Sequence, residues 1–357
     1  MLMLTSLKLI SFAYNYFDGT YDRKRVFGEH SDPKAAKMYA DRKRFAITSL
    51  PNPLEFYGYV YCFTCLLAGP AFEYSDYASA IDETNETFRL FPSRNGIAIR
   101  KFLVGLFCLG IHMALAIHFK TTMFYTQVFV KKHNILSRVI YTYLAIVAQR
   151  FRFYFAWKIA EGSCVMGGFG LKKTAADQGT WEEVEIVDII GVETAVSLQM
   201  LTRHWNKRTQ GWLERYVYCR TNRSLVATYF VSAIWHGPYP GFLMFFSTVP
   251  LLTMVERLIR CKINPLILQS SRLDSLPENL RRSSTVVNTS ILLGYWAMCW
   301  LCLTMEMVYL SLLFTKQPFY DCITAIASYY YIGHFTPLVL YGLLILLPSP
   351  DKELKVL

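Results

Sequence analysis

Several stretches of this sequence are long enough, and empty enough of charge, to cross a bilayer, and that limits the available folds more than any other feature. A helix needs about 20 predominantly apolar residues to pass a ~30 Å hydrocarbon core. Phe102–Phe119 has no carboxylate, lysine or arginine, Val286–Phe314 has Glu306 as its single charge, and Cys322–Pro348 has none. Leu225–Val255 is apolar and aromatic but is interrupted by Gly237-Pro238-Tyr239-Pro240-Gly241. Leu54–Ala71 is shorter and opens with Glu55. Leu136–Ala160 carries Arg138, Arg150, Arg152 and Lys158, so part of it must face protein or water. These runs amount to five or six candidate spans.

Composition agrees. Of 357 residues only 18% are charged and 53% are hydrophobic, against about 25% and 45–50% in soluble domains. Disorder, collagen and small disulfide scaffolds are excluded. The net charge of +11 (37 − 26) gathers in the loops Asp18–Arg44 and Lys172–Arg223, where it suits positive-inside anchoring and attraction to anionic lipid. No nucleic-acid-binding module is present, so nucleic acid is not an expected partner. The N-terminus lacks a basic n-region and a cleavage site, and no signal peptide is read there. Cys62-Phe63-Thr64-Cys65 and Cys299-Trp300-Leu301-Cys302 have zinc-like spacing, but both lie in apolar stretches where cysteine serves as a small buried hydrophobe. No metal is expected. The predicted fold is all-α: a polytopic transmembrane helical bundle with interfacial and broken helices, one domain over residues 1–357.

Common hydrolase and transferase signatures are missing. There is no G-x-S-x-G elbow, no H-E-x-x-H and no H-x₄-D, and the glycine-rich run Gly167–Thr174 has Lys172 where a phosphate loop needs glycine. What remains is one dense polar and aromatic region. Residues 204–220 alternate Trp205, Trp212, Tyr216 and Tyr218 with Lys207, Arg208, Arg215 and Arg220, a pattern that suits a helix lying at the membrane interface. His236 then sits inside an apolar run, where an ionisable side chain is costly and suggests function. It precedes the Gly-Pro break, and such breaks at membrane depth are tolerated where they line a protein cavity. Ser232, four residues earlier, shares its helical face.

At these residues the chain resembles the membrane-bound O-acyltransferases, and within them the lysophospholipid acyltransferase branch. The resemblance rests on Trp205-Asn206…Trp212-Leu213 and on Trp235-His236-Gly237-Pro238-Tyr239-Pro240-Gly241. It extends through Leu67-Ala68-Gly69-Pro70, Tyr154-Phe155-Ala156-Trp157, Gly168-Phe169-Gly170 and Tyr329-Tyr330-Tyr331…His334. The spacing with Tyr-Pro-Gly is most similar to the lysophosphatidylethanolamine and lysophosphatidylserine members. Members of the family carry several helices before the segment matching Phe12-Ala13-Tyr14, so the chain is expected to be N-terminally shortened.

The resemblance implies transfer of an acyl group from acyl-CoA to the free hydroxyl of a lysophospholipid in the endoplasmic reticulum membrane, with the bilayer as the other partner and no bound cofactor. It implies His236 as general base and Asn206 as an amide that orients substrate or steadies charge on the thioester oxygen. Trp205, Ser232 and Trp235 would contact substrate, and Arg208 and Arg215, with Arg203, Lys207 and Arg220, would draw the phosphates of CoA. His112 and His118, also in an apolar span, are expected to be structural. A non-catalytic lipid-binding scaffold, or acylation of a different acceptor, is the rival reading.

Overall fold

The computed structural model describes residues 2–30, 32–82, 94–171, 180–264, 278–315 and 318–348. Among these residues the chain forms helices and turns and no strand. It divides into two compact units: Met1–His118 with Val147–Ile189 and Arg203–Val231, and Phe119–Ile146 with Ile190–Thr202 and Ser232–Leu357.

Three described helices are long and apolar enough to span a membrane, Arg94–Ala116, Pro240–Lys262 and Leu292–Thr315, the last being part of the longer helix Glu278–Thr315. The run Cys322–Pro348 is not one straight span. It forms Phe319–Ala327 and Ile332–Leu346, bent by 71° where Tyr330 and Tyr331 both take left-handed backbone angles. Large apolar side chains such as Leu103, Phe107, Leu293, Met298 and Leu338 are left exposed, as a lipid-facing surface requires.

Two sequence expectations need correction. Leu54–Ala71 does not span: the helix Pro53–Val60 is capped by Asn52, whose side chain accepts from the Glu55 amide while Glu55 reaches back to the Asn52 amide. The charge that opened the run is a capping-box residue, and the chain turns after Val60. Nor do residues 205–220 form a lipid-facing interfacial helix. The helix Lys207–Leu213 passes into a wider turn at Glu214–Tyr218, marked by the Cys219 amide bonding to the Glu214 carbonyl at 2.9 Å. Trp212, Tyr216 and Val217 are buried in the first unit. The indole N–H of Trp212 donates to the Leu7 carbonyl at 3.1 Å, so the protein supplies the polar partner that headgroups would otherwise supply.

The first unit is organised around buried charge. The helix Leu2–Thr20 buries Lys8, Ser11, Asn15 and Asp18, spaced three or four residues apart, and exposes Leu9, Ile10, Tyr14 and Phe17 on its other side. Each member of the charged and amide set meets a partner. Lys8 donates to the Tyr59 carbonyl at 2.8 Å and to the Cys65 sulfur at 3.0 Å. Asn15 donates to Glu73 and accepts from the Tyr216 hydroxyl. Asp18 is clamped between Arg42 and Arg220.

Glu161, on the helix Ile135–Met166, is fully buried. Its carboxylate accepts from Lys101 at 2.6 Å, from Lys158 at 2.8 Å, and from the backbone amides of Ile186 and Val187 at 2.8 and 3.2 Å. Removing one partner of a buried ion pair strands the other charge, at a cost of about 3–5 kcal/mol. Glu161→Gln is therefore expected to lower the thermal midpoint of the detergent-solubilised protein markedly. The double variant Glu161→Gln with Lys158→Met should recover part of the loss, because it removes a stranded ammonium. An unchanged midpoint in the single variant would refute this reading of the core.

Candidate active site

The local backbone around Asn206 is set by Glu161. That carboxylate fixes the amides of Ile186 and Val187, and the same strand of chain holds the site segment: the Ile186 carbonyl accepts from the Lys207 amide at 2.7 Å, and the Asp188 amide donates to the His204 carbonyl at 3.1 Å. Between them Asn206 takes φ 45° and ψ 51° and begins the helix Lys207–Leu213. Apart from glycine, asparagine is among the residues that enter this left-handed region most readily. Its carbonyl accepts from the Gln210 amide at 3.0 Å, while its side chain makes no capping hydrogen bond. The backbone of Asn206 is committed and its amide is not.

Trp205, expected at the substrate, packs edge-on against Trp157, Tyr154 and Phe153 with ring centroids 4.9, 5.9 and 6.1 Å away. It anchors the segment to the helix Ile135–Met166. The basic residues are already paired. Arg208 meets Glu183 at 3.0 Å and donates to the Glu182 carbonyl at 2.6 Å; Arg215 meets Glu73 at 2.9 Å; Lys207 pairs with Glu185 and Arg220 with Asp18. Charge neutralised this way attracts phosphate less than the sequence suggested. Arg203 is exposed.

In the second unit, His236 is the last residue of the helix Leu225–His236. Gly237 follows at φ 128°, its amide still bonding back to the Ala233 and Ile234 carbonyls, and a new helix opens at Pro240. Proline at the first helical position has no amide to leave unpaired. The break lets the imidazole leave its helix end into a ring of aromatic side chains: Trp235 at 4.7 Å, Phe314 edge-on at 5.0 Å, Phe246 stacked at 5.2 Å and Phe242 at 5.5 Å. Among the described residues neither ring nitrogen of His236 has a hydrogen-bond partner. Ser232 is buried one turn back on the same face. Its hydroxyl does not bond back to its own helix as Thr228 does to the Ser224 carbonyl, so it too is available.

Three other histidines, His112, His204 and His334, differ. His112 bonds the Ala148 carbonyl at 2.8 Å, in keeping with a structural role, and His204 faces Asp188 at 3.0 Å. His334 is held at both nitrogens, by the Tyr309 hydroxyl at 2.7 Å and the Thr248 hydroxyl at 3.3 Å. This Thr248–His334–Tyr309 set was not legible beforehand as a cluster, since its members come from three separate helices. An imidazole with an unoccupied nitrogen, beside an unbonded hydroxyl and at the end of a broken helix, can take a proton from a bound hydroxyl. Asn206 lies in the first unit and His236 in the second.

A Cβ at residue 237 would stand 3.0 Å from the Tyr239 ring, and the backbone angle is one that L-residues rarely adopt. Such strain costs about 1–3 kcal/mol. Gly237→Ala should lower the thermal midpoint accordingly, whereas Gly110→Ala, in open helical space, should leave it unchanged or raise it. Equal midpoints for both variants would contradict the strain argument.

Comparison with known proteins bears on what this site is for. The family model of MBOAT, the membrane-bound O-acyltransferase family, matches residues 1–297. Lysophospholipid acyltransferase 1 of Arabidopsis thaliana is 29% identical over 373 residues, taking in 99% of this chain and 73% of that protein. Lysophospholipid acyltransferase 2 of the same plant is 32% identical over 261 residues, 69% of this chain and 53% of the relative. Membrane-bound glycerophospholipid O-acyltransferase 1 of Mus musculus is 31% identical over 275 residues, 72% and 54% respectively. The match thus takes in from about half to about three quarters of the length of these relatives.

Proposed function

Because the chain belongs to the membrane-bound O-acyltransferase family, we propose that it moves a fatty acyl group from acyl-CoA to the free hydroxyl of a lysophospholipid, as part of phospholipid remodelling in the endoplasmic reticulum membrane. The relatives named as lysophospholipid acyltransferases support the acceptor class. The observation that carries the reading is the unbonded imidazole of His236 at the helix break, with the Ser232 hydroxyl one turn away.

The neutral ring nitrogen accepts the acceptor's hydroxyl proton as that oxygen attacks the thioester carbonyl. Collapse of the tetrahedral intermediate expels the CoA sulfur, which recovers the proton from the imidazolium, and the new ester departs with no change in oxidation state. General-base assistance of this kind contributes roughly 10²–10⁴-fold. Asn206 enters the proposal through the family resemblance, and its uncommitted side-chain amide has the chemistry to donate a hydrogen bond to a substrate oxygen. Lipid acceptor and acyl chain reach such a site laterally, and the CoA head arrives from water.

Microsomes from cells expressing the chain, given labelled acyl-CoA and a panel of lysolipids, should form labelled diacyl phospholipid above the level of control microsomes. No labelled product on any lysolipid would end the proposal. The same assay separates the two properties of Asn206. Asn206→Gly keeps the left-handed backbone and deletes the amide, so it should fold normally and lose most turnover. Full activity in that variant would reduce Asn206 to a backbone device.

A further inference from the structure

Glu306 is the one charge in the apolar run Val286–Phe314, and nothing in the chemistry above uses it. It lies within the span Leu292–Thr315. Its Oε1 atom is buried and has no hydrogen-bond partner, and no lysine or arginine pairs with it among the described residues. Taking a carboxylate out of water costs several kcal/mol unless a cation or donors meet it, and an ionisable group inside a span marks a functional site by default. The polar group one turn on along the same helix, the Tyr309 hydroxyl, is already engaged. The Tyr309 hydroxyl and the Thr248 hydroxyl are both taken by His334. Tyr309 is in turn fixed by close approach to Gly333, where a Cβ would come within 2.2 Å of its ring.

Glu306 also shares a helix with a side chain that touches the candidate base. Phe314, on the same helix, packs edge-on against the His236 ring at 5.0 Å. Eight residues back along that helix is a rise of about 12 Å and a rotation of about 80°, which leaves Glu306 angularly between Phe314 and Tyr309 on the buried side. In a lysophospholipid, the free glycerol oxygen and the nitrogen of an ethanolamine headgroup are roughly 9–10 Å apart when extended, at about 1.2 Å of reach per bond. With the reach of two side chains added, a hydroxyl at His236 and an ammonium at Glu306 fit one acceptor molecule.

We propose that Glu306 receives the primary ammonium of the acceptor's headgroup and makes this chain select ethanolamine- or serine-bearing lysolipids. The inference rests on the lysolipid reading of the site. A carboxylate suits a primary ammonium in both charge and hydrogen bonding. A choline headgroup offers charge without N–H donors, and a glycerol headgroup offers hydroxyls without charge.

The test is binding of lysophosphatidylethanolamine and lysophosphatidylglycerol to the purified full chain by native mass spectrometry, followed by acyl transfer to the same two lipids. Wild type should hold the amine lipid at least about tenfold more tightly. Glu306→Gln and the apolar Glu306→Leu should each bring the ratio close to one, and either variant suffices if the other fails to accumulate. A ratio unchanged in the variants, including one preserved while both affinities fall together, would overturn the assignment and leave Glu306 a structural residue. Amine-selective binding lost in Glu306→Gln, but without acyl transfer in wild type, would uphold this site and refute the acyltransferase reading. Acyl transfer to both lipids at equal rates would do the reverse, and binding of neither lipid would sink both.

Discussion

A polar group withdrawn from water has to be met inside the protein, and in a chain that exposes its apolar side chains to lipid this requirement decides where nearly every charge goes. The helix Leu2–Thr20 shows the consequence. It is amphipathic in the inverted sense, with Lys8, Asn15 and Asp18 turned inward and Leu9, Ile10 and Phe17 outward. Its inward groups draw in partners from distant parts of the sequence: Tyr59 and Cys65, Glu73 and Tyr216, Arg42 and Arg220. Glu161 does the same for the segment 186–188, and through it for the backbone that carries Asn206. Packing, polar satisfaction and the placement of a candidate catalytic amide are here one set of contacts.

Against that background, the groups left unmet stand out. His236 and Glu306 lie in the second unit, His236 within a ring of aromatic side chains, and neither is met by a hydrogen-bond partner among the described residues. His334, in the same unit and also ionisable, is bonded at both nitrogens. The contrast separates a histidine that ties helices together from one whose ring nitrogens are left unbonded. The backbone makes the opening: Gly237 at positive φ ends one helix and Pro240 starts the next, so the imidazole sits where regular helical bonding stops.

Much of this was legible in the sequence because apolar length and helix breakers are local signals. The spans within Arg94–Ala116, Pro240–Lys262 and Glu278–Thr315 and the break after His236 follow from them. What misled was equally physical. Glu55 belongs to a capping box, so the run behind it turns instead of spanning. The aromatic-basic alternation of residues 205–220 resembles an interfacial helix, yet Trp212 and Arg215 find their partners at Leu7 and Glu73, and no local pattern reports a contact across that much chain. The polar spacing of Lys8, Ser11, Asn15 and Asp18 could have been read as an inward stripe, had the helix been tested for polar as well as apolar periodicity.

The central claim is that His236 acts as the base of an acyl transfer. The most direct measurement is the rate of lysolipid acylation by His236→Ala at matched protein level in membranes, with His112→Ala beside it. The account predicts a fall of at least ~10²-fold for His236→Ala, the lower end for loss of a general base, with His112→Ala reduced only as far as its stability falls. A His236→Ala protein that retains more than about half of the wild-type rate, where that ~10²-fold loss is required, would contradict it.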